Sequence, residues 1–86
     1  MNFSTDVAAR FRANGYKLTP QRHAVFAVLE GNLEHLTAEA IHARVVEPLP
    51  MVSLRTVYQT LNEMVTLGEL ASFDFGSGSA RFDPNT

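Results

Sequence analysis

Apolar residues recur along this chain at spacings of three and four, stretch after stretch, until the period drops to two near the end. That pattern predicts four amphipathic helices followed by a β-hairpin. The clearest stretch runs from Pro50 to Gly68. At about 100° per residue, Leu54, Val57, Leu61, Met64 and Val65 share one side. Arg55, Thr56, Gln59, Asn62 and Glu63 share the other, with Tyr58 on the border. Ser53 is a good N-cap, since its hydroxyl can accept from an unpaired first-turn N–H. Gly68 can take the left-handed conformation that ends a helix.

The other elements are read the same way. Thr5 to Asn14 reads as a first helix, capped by Ser4 or Thr5, with Asp6 at its positive end and Val7 and Phe11 one turn apart. Gly15 ends it, and Tyr16 to Leu18 is a connector. Thr19 caps a second helix with Pro20 at its first position. Its stripe is Ala24, Val25, Val28 and Leu29, widened by Phe26, and Gly31-Asn32 stops it. Thr37 opens a third helix with Ala38, Ile41 and Val45 on one face, and Pro48 and Pro50 bracket the loop that follows. After Gly68, Leu70, Ser72 and Asp74 alternate with Ala71, Phe73 and Phe75, which reads as a strand. Gly76 to Ser79 is a turn, and Ala80 to Asp83 returns as a second strand. Phe73 and Phe75 fall on one side of their strand, so at least one should meet the helices. Phe26, Phe73 and Phe82 are assigned to core and wing packing.

The expected fold over residues 1–86 is mostly α with a small β-hairpin. It is a winged helix-turn-helix, four helices followed by a two-stranded wing, with the third and fourth helices as the helix-turn-helix pair. Eighty-six residues bury only a modest core. There is no cysteine, hence no disulfide framework and no thiolate metal site within these residues. No apolar run approaches the roughly 20 residues of a membrane span. MNFSTDVAAR carries an acid and no apolar segment, unlike a signal peptide. A cytoplasmic protein with no membrane partner is the expectation.

A net charge of −2 argues mildly against a nucleic-acid partner, but its distribution matters more than its sum. Arg10, Arg12, Lys17 and Arg22 follow one another with no acid between them, whereas Glu30 to Glu47 holds four acids against Arg44 alone. Such segregation can present one basic face to phosphate. On the exposed side of the fourth helix, arginine can read guanine, and glutamine or asparagine adenine, each through two hydrogen bonds. Arg81 is the only cation of the wing and a candidate phosphate contact. An ordinary solvated helix face is the alternative reading of the fourth helix.

The residues also match a pattern. Gly15-Tyr-Lys-Leu-Thr-Pro-Gln-Arg22, His35-Leu-Thr-Ala-Glu39, Thr56-Val-Tyr58 followed by Thr60-Leu61, and Ala80-Arg-Phe-Asp83 stand in the order found in the ferric uptake regulator family. The chain resembles the N-terminal DNA-binding domain of that family over roughly residues 7 to 83. The resemblance implies a metal-responsive repressor that binds an A·T-rich palindromic operator as a homodimer. The family continues past the position of Asp83 into a dimerisation domain with a histidine-rich segment and cysteine pairs, whereas this sequence stops at Thr86. The resemblance therefore implies a severed or short form, monomeric or weakly associated.

Carried over residue by residue, the resemblance puts Tyr58 on the recognition helix, against a thymine or the backbone in the major groove. Lys17 matches a basic position that enters the minor groove, and Arg22 an arginine that holds a phosphate. An intramolecular salt bridge is the other reading for Arg22. The chain departs from the family at two positions on the exposed face: Gln59 stands where arginine is usual, and Arg55 where a small residue is frequent. The family's operator sequence is therefore not transferred. His35 and Asp83 match ligands of the regulatory metal site, whose remaining ligands would lie beyond Thr86. Imidazole and carboxylate suit divalent Fe, Mn, Zn or Co, but two ligands are half a site, and no tight metal binding by this chain alone is expected. Glu34 is a weaker candidate ligand, and His23 and His42 match no ligand position. Two other classes compete: a winged-helix protein-interaction module without specific DNA binding, favoured by the low basicity, and an enzyme. For the latter the sequence offers only His35 and Glu39 at i, i+4, with no nucleophile or third ligand.

Overall fold

The computed structural model describes residues 3–30, 36–74 and 80–84, with backbone alone at 73, 74, 80, 83 and 84. Four helices and three short strands succeed one another as α1 (Phe3–Ala13), α2 (Pro20–Glu30), β1 (Leu36–Thr37), α3 (Ala38–Val45), α4 (Leu54–Thr66), β2 (Leu70–Asp74) and β3 (Ala80–Pro84). The strands form one antiparallel sheet in the order β1-β3-β2. Among the described residues, no helix is long and apolar enough to cross a membrane.

Helix ends follow the local chemistry of the sequence. Thr19 Oγ1 accepts from the Arg22 N–H at 3.2 Å, Thr37 Oγ1 from the Ala40 N–H at 3.1 Å, and Ser53 Oγ from the Thr56 N–H at 3.1 Å. At the other ends, Gly15 (φ +84°) and Gly68 (φ +79°) adopt the left-handed conformation. The next N–H reaches back five residues, Tyr16 to the Phe11 carbonyl at 3.0 Å and Glu69 to the Met64 carbonyl at 2.8 Å. Both helices thus close in the same Schellman arrangement. A Cβ at either glycine would meet nothing within 4 Å, so alanine there is strained by its torsion alone. Gly68→Ala and Gly15→Ala are each expected to destabilise the domain by about 1–2 kcal/mol, read as a lower urea midpoint at unchanged slope.

α1 begins at Phe3, ahead of the expected Thr5, and neither Ser4 nor Thr5 stands outside the helix as its cap. The reason lies in the next helix: Glu30, at the end of α2, accepts from both the Ser4 N–H and its hydroxyl at 3.0 Å. A carboxylate at a helix start satisfies an orphan donor and complements the dipole. The expected stop at Gly31-Asn32 lies outside the described residues, as do Phe75, the turn at 76–79 and the last two residues, Asn85 and Thr86.

One core joins all the elements. It is built from Val7 and Phe11 of α1, Val25, Phe26 and Leu29 of α2, Ala38, Ile41 and Val45 of α3, and Val57, Leu61 and Met64 of α4, closed by Leu36, Leu70 and Phe82 from the strands. Ala24, Val28, Leu54 and Val65, expected on the same stripes, pack at its edge. Thr60 is buried although polar, its hydroxyl satisfied by the Thr56 carbonyl at 3.1 Å. Arg10 Nε lies 3.0 Å from Glu69 Oε1, bracing α1 against the start of β2. That oxygen has no aligned hydrogen bond, so the contact is one of charge.

The sheet has one strand more than the expected two-stranded wing. Leu36 pairs with Phe82 and Thr37 with Arg81, while β2 pairs with the other edge of β3 from Leu70↔Pro84 to Asp74↔Ala80. β3 is therefore the central strand, joining the wing to the chain entering α3. The side chains of Phe73 and Phe75 lie outside the described set. Phe82 is buried, as expected of a packing residue.

Candidate nucleic-acid interface

α3 and α4 are joined by a compact turn. The Leu49 N–H donates to the Val45 carbonyl at 3.0 Å and the Val52 N–H to the Leu49 carbonyl at 3.1 Å. His42 Nε2 lies 2.9 Å from the Val52 carbonyl. Val52 and Val57 are buried, which holds α4 with its opposite side outward.

That side is the face expected from the sequence. Arg55, Tyr58, Gln59 and Asn62 are exposed and, with Tyr16 and Glu63, line a shallow open groove along α4. Arginine and two amides along one helix can address base edges.

Tyr58, 38 % exposed, is already engaged at its polar end. Its hydroxyl donates to Glu39 Oε2 at 3.1 Å. Partial desolvation, then the bond to Glu39 and that residue's charge, hold the phenol above its ordinary pKa. The neutral form is therefore favoured. Here the hydroxyl is held by this bond, while the ring stays open to apolar contact.

Thr56 is half-buried at the first turn, and its hydroxyl lies 3.0 Å from Ser53 Oγ within the helix cap.

The largest difference concerns Arg22. Its Nε and Nη2 donate to the Glu63 carboxylate at 3.0–3.2 Å, and Nη1 donates to the Lys17 carbonyl at 2.6 Å. The guanidinium lies 5.4 Å from the Tyr16 ring centroid and 5.8 Å from that of Phe11. Arg22 and Glu63 side chains are only 18 % and 16 % exposed. The salt bridge, one of the two sequence readings, is thus formed in this structure. Glu39 and Glu63 are the partners of Tyr58 and Arg22 that sequence reasoning missed. Both look like solvated helix charges until the packing of α2, α3 and α4 is known.

Lys17 is exposed in the connector between α1 and α2. Arg81 is half-buried on β3, with Thr37 and Phe73 as its neighbours in register. His35 and Glu34 lie outside the described residues, and so does Thr86, beyond which the other metal ligands are expected. The backbone of Asp83 pairs with that of Ala71. Among the described residues, no group of three or more His, Cys, Asp or Glu is placed to hold a metal ion.

Residues 13–86 match the sequence profile described as the Ferric uptake regulator family. The chain is 38% identical over 78 residues to the ferric uptake regulation protein of Bacillus subtilis, an alignment covering 90% of this chain and 52% of that protein. It is 32% identical over 81 residues to the peroxide-responsive repressor PerR of Staphylococcus saprophyticus, covering 94% of this chain and 55% of that one. A solved structure of the ferric uptake regulator from Pseudomonas aeruginosa, with manganese, superposes with a TM-score of 0.80 at 26% identity, over 92% of this chain and 60% of that chain. The chain spans about half the length of the curated relatives it matches.

Proposed function

The chain belongs to the ferric uptake regulator family, and from that premise we propose that it reads double-stranded DNA for a metal-dependent transcriptional repressor. The observation that carries this reading is the outward face of α4, with Arg55, Tyr58, Gln59 and Asn62 exposed on the second helix of a helix-turn-helix. In such folds the second helix enters the major groove. There Arg55 would take a guanine, Gln59 and Asn62 adenines, and the Tyr58 ring a thymine methyl. Lys17 would reach the minor groove of A·T-rich sequence, and Arg81 a phosphate. The whole regulator would act as a homodimer on a palindrome, as a binding protein and not as an enzyme.

The metal of that regulator would be divalent iron, manganese or zinc, and His35 and Asp83 are the ligands this chain would contribute. Support comes from the β1–β3 register. The residue after His35 pairs with the residue before Asp83. An ion there would supply a fixed ligand geometry, favouring the arrangement of two reading heads that fits the operator. The chain's own part would be to supply these two ligands, one on either side of the Leu36–Phe82 pairing in sequence.

The test is a titration of a labelled A·T-rich palindromic duplex against a scrambled one, at low and at physiological salt. The expected result is preference for the palindrome, unchanged by added Mn²⁺ or by chelator. With few cations on the reading side, the salt dependence should be shallow. Equal, weak and steeply salt-sensitive binding to both duplexes would overturn the proposal in favour of a protein-interaction module.

A further inference from the structure

Arg22 joins the two parts of the chain that face DNA under the proposed reading, without occupying that face itself. On one side it holds α4 through Glu63, one turn beyond Gln59 on the reading helix. On the other it holds the Lys17 carbonyl, in a connector that lacks regular structure. Each of its three nitrogens has a partner. The rings of Phe11 and Tyr16 beside it and its low exposure fix where the fork sits. We infer that Arg22 is a positioning residue for DNA recognition, setting the reach of Lys17 relative to the exposed face of α4.

The chemistry calls for arginine. A guanidinium is a rigid planar fork that can meet a carboxylate with two nitrogens and a carbonyl with the third. A lysine has a single nitrogen and cannot hold Glu63 and the Lys17 carbonyl in that geometry. Two contacts in different grooves reinforce each other more strongly when the segment between them is ordered before binding, because less ordering cost is then charged to the complex. A loose connector would let the Lys17 ammonium move in solvent, and its contribution to affinity would fade. The inference rests on the reading of the chain as a DNA-binding domain.

The test is a double-mutant cycle on palindromic and scrambled duplexes with the wild-type chain, Lys17→Ala, Arg22→Lys and the double variant, the folded fraction of each measured by circular dichroism. In the wild-type background Lys17→Ala should weaken palindrome binding about tenfold, the scale of one lost cationic contact. In the Arg22→Lys background the same change should cost less than about twofold, the mark of coupled sites. Glu63→Gln, which leaves Arg22 in place, should give an intermediate coupling. Arg22 acting only on stability would lower the melting temperature and leave the Lys17 effect at its full size in the folded fraction. That result, or no Lys17 effect in the wild-type background, would overturn the inference. If the wild-type chain binds both duplexes alike, the DNA-binding reading itself fails and this inference falls with it.

Discussion

Replacing Arg55 and Tyr58 together by alanine should erase the preference for a palindromic duplex over a scrambled one while leaving the fold intact. Both side chains are exposed, Arg55 on the side of α4 opposite Val57, Leu61 and Met64 and Tyr58 at the border of that side. Neither leaves a cavity when truncated. The bond from Tyr58 to Glu39 is lost, but it lies at the surface and contributes at most about 1 kcal/mol. A bidentate arginine–guanine pair is worth about 1–3 kcal/mol of discrimination, and a ring on a thymine methyl adds a smaller amount. Together they amount to a loss of about ten- to a thousandfold in specific affinity. Binding to the scrambled duplex should change far less, since the proposed contacts of Lys17 and Arg81 are untouched. Fluorescence anisotropy with both duplexes, beside a thermal melt, reads the two effects separately. Preference that survives the double change would put the recognition face elsewhere.

Phe11→Ala should have the largest effect on stability. The ring is fully buried, with the centroids of Tyr16 and Phe26 each 5.0 Å away in tilted and edge-on contact. It also lies under the Arg22 guanidinium. Truncating a buried phenylalanine costs about 3–5 kcal/mol, and the lost aromatic pairs belong at the upper end of that range. A domain of this size has about 4–13 kcal/mol in all. The variant is therefore expected to lose roughly half its stability or more, and to melt at least about 15 °C lower by the usual scaling for small domains. Urea denaturation checks this. A loss under about 1 kcal/mol, the ordinary size of a surface change at most, would mean that Phe11 is not the joint between α1, α2 and the connector.

Much of this architecture was legible in the sequence because it is set locally. Thr19, Thr37 and Ser53 cap helices from their own positions, and Gly15 and Gly68 end them. The apolar stripe of α4 defines its exposed side by subtraction, so Arg55, Gln59 and Asn62 could be placed from periodicity alone. What escaped was set by partners far along the chain. The start of α1 depends on Glu30, twenty-six residues from Ser4. Leu36–Thr37 is too short to carry a period and is a strand only because β3 pairs with it. Arg22 was open between phosphate and carboxylate, and only the packing of α2 on α4 brings Glu63, forty-one residues away, into the guanidinium fork. The same distance effect hid the grip of Glu39 on Tyr58, nineteen residues apart.

The central place of β3 has a mechanical meaning. Thr37 is at once the residue paired with Arg81 and the cap whose hydroxyl holds the first turn of α3. α3 in turn packs on α4. A load applied at Pro84 therefore travels along β3, crosses one strand pairing into Thr37, and arrives as torque on the first turn of α3. The first turn of α3 is thus tied through Thr37 to β3, so that a pull on the far end of β3 would reach α3 before α4.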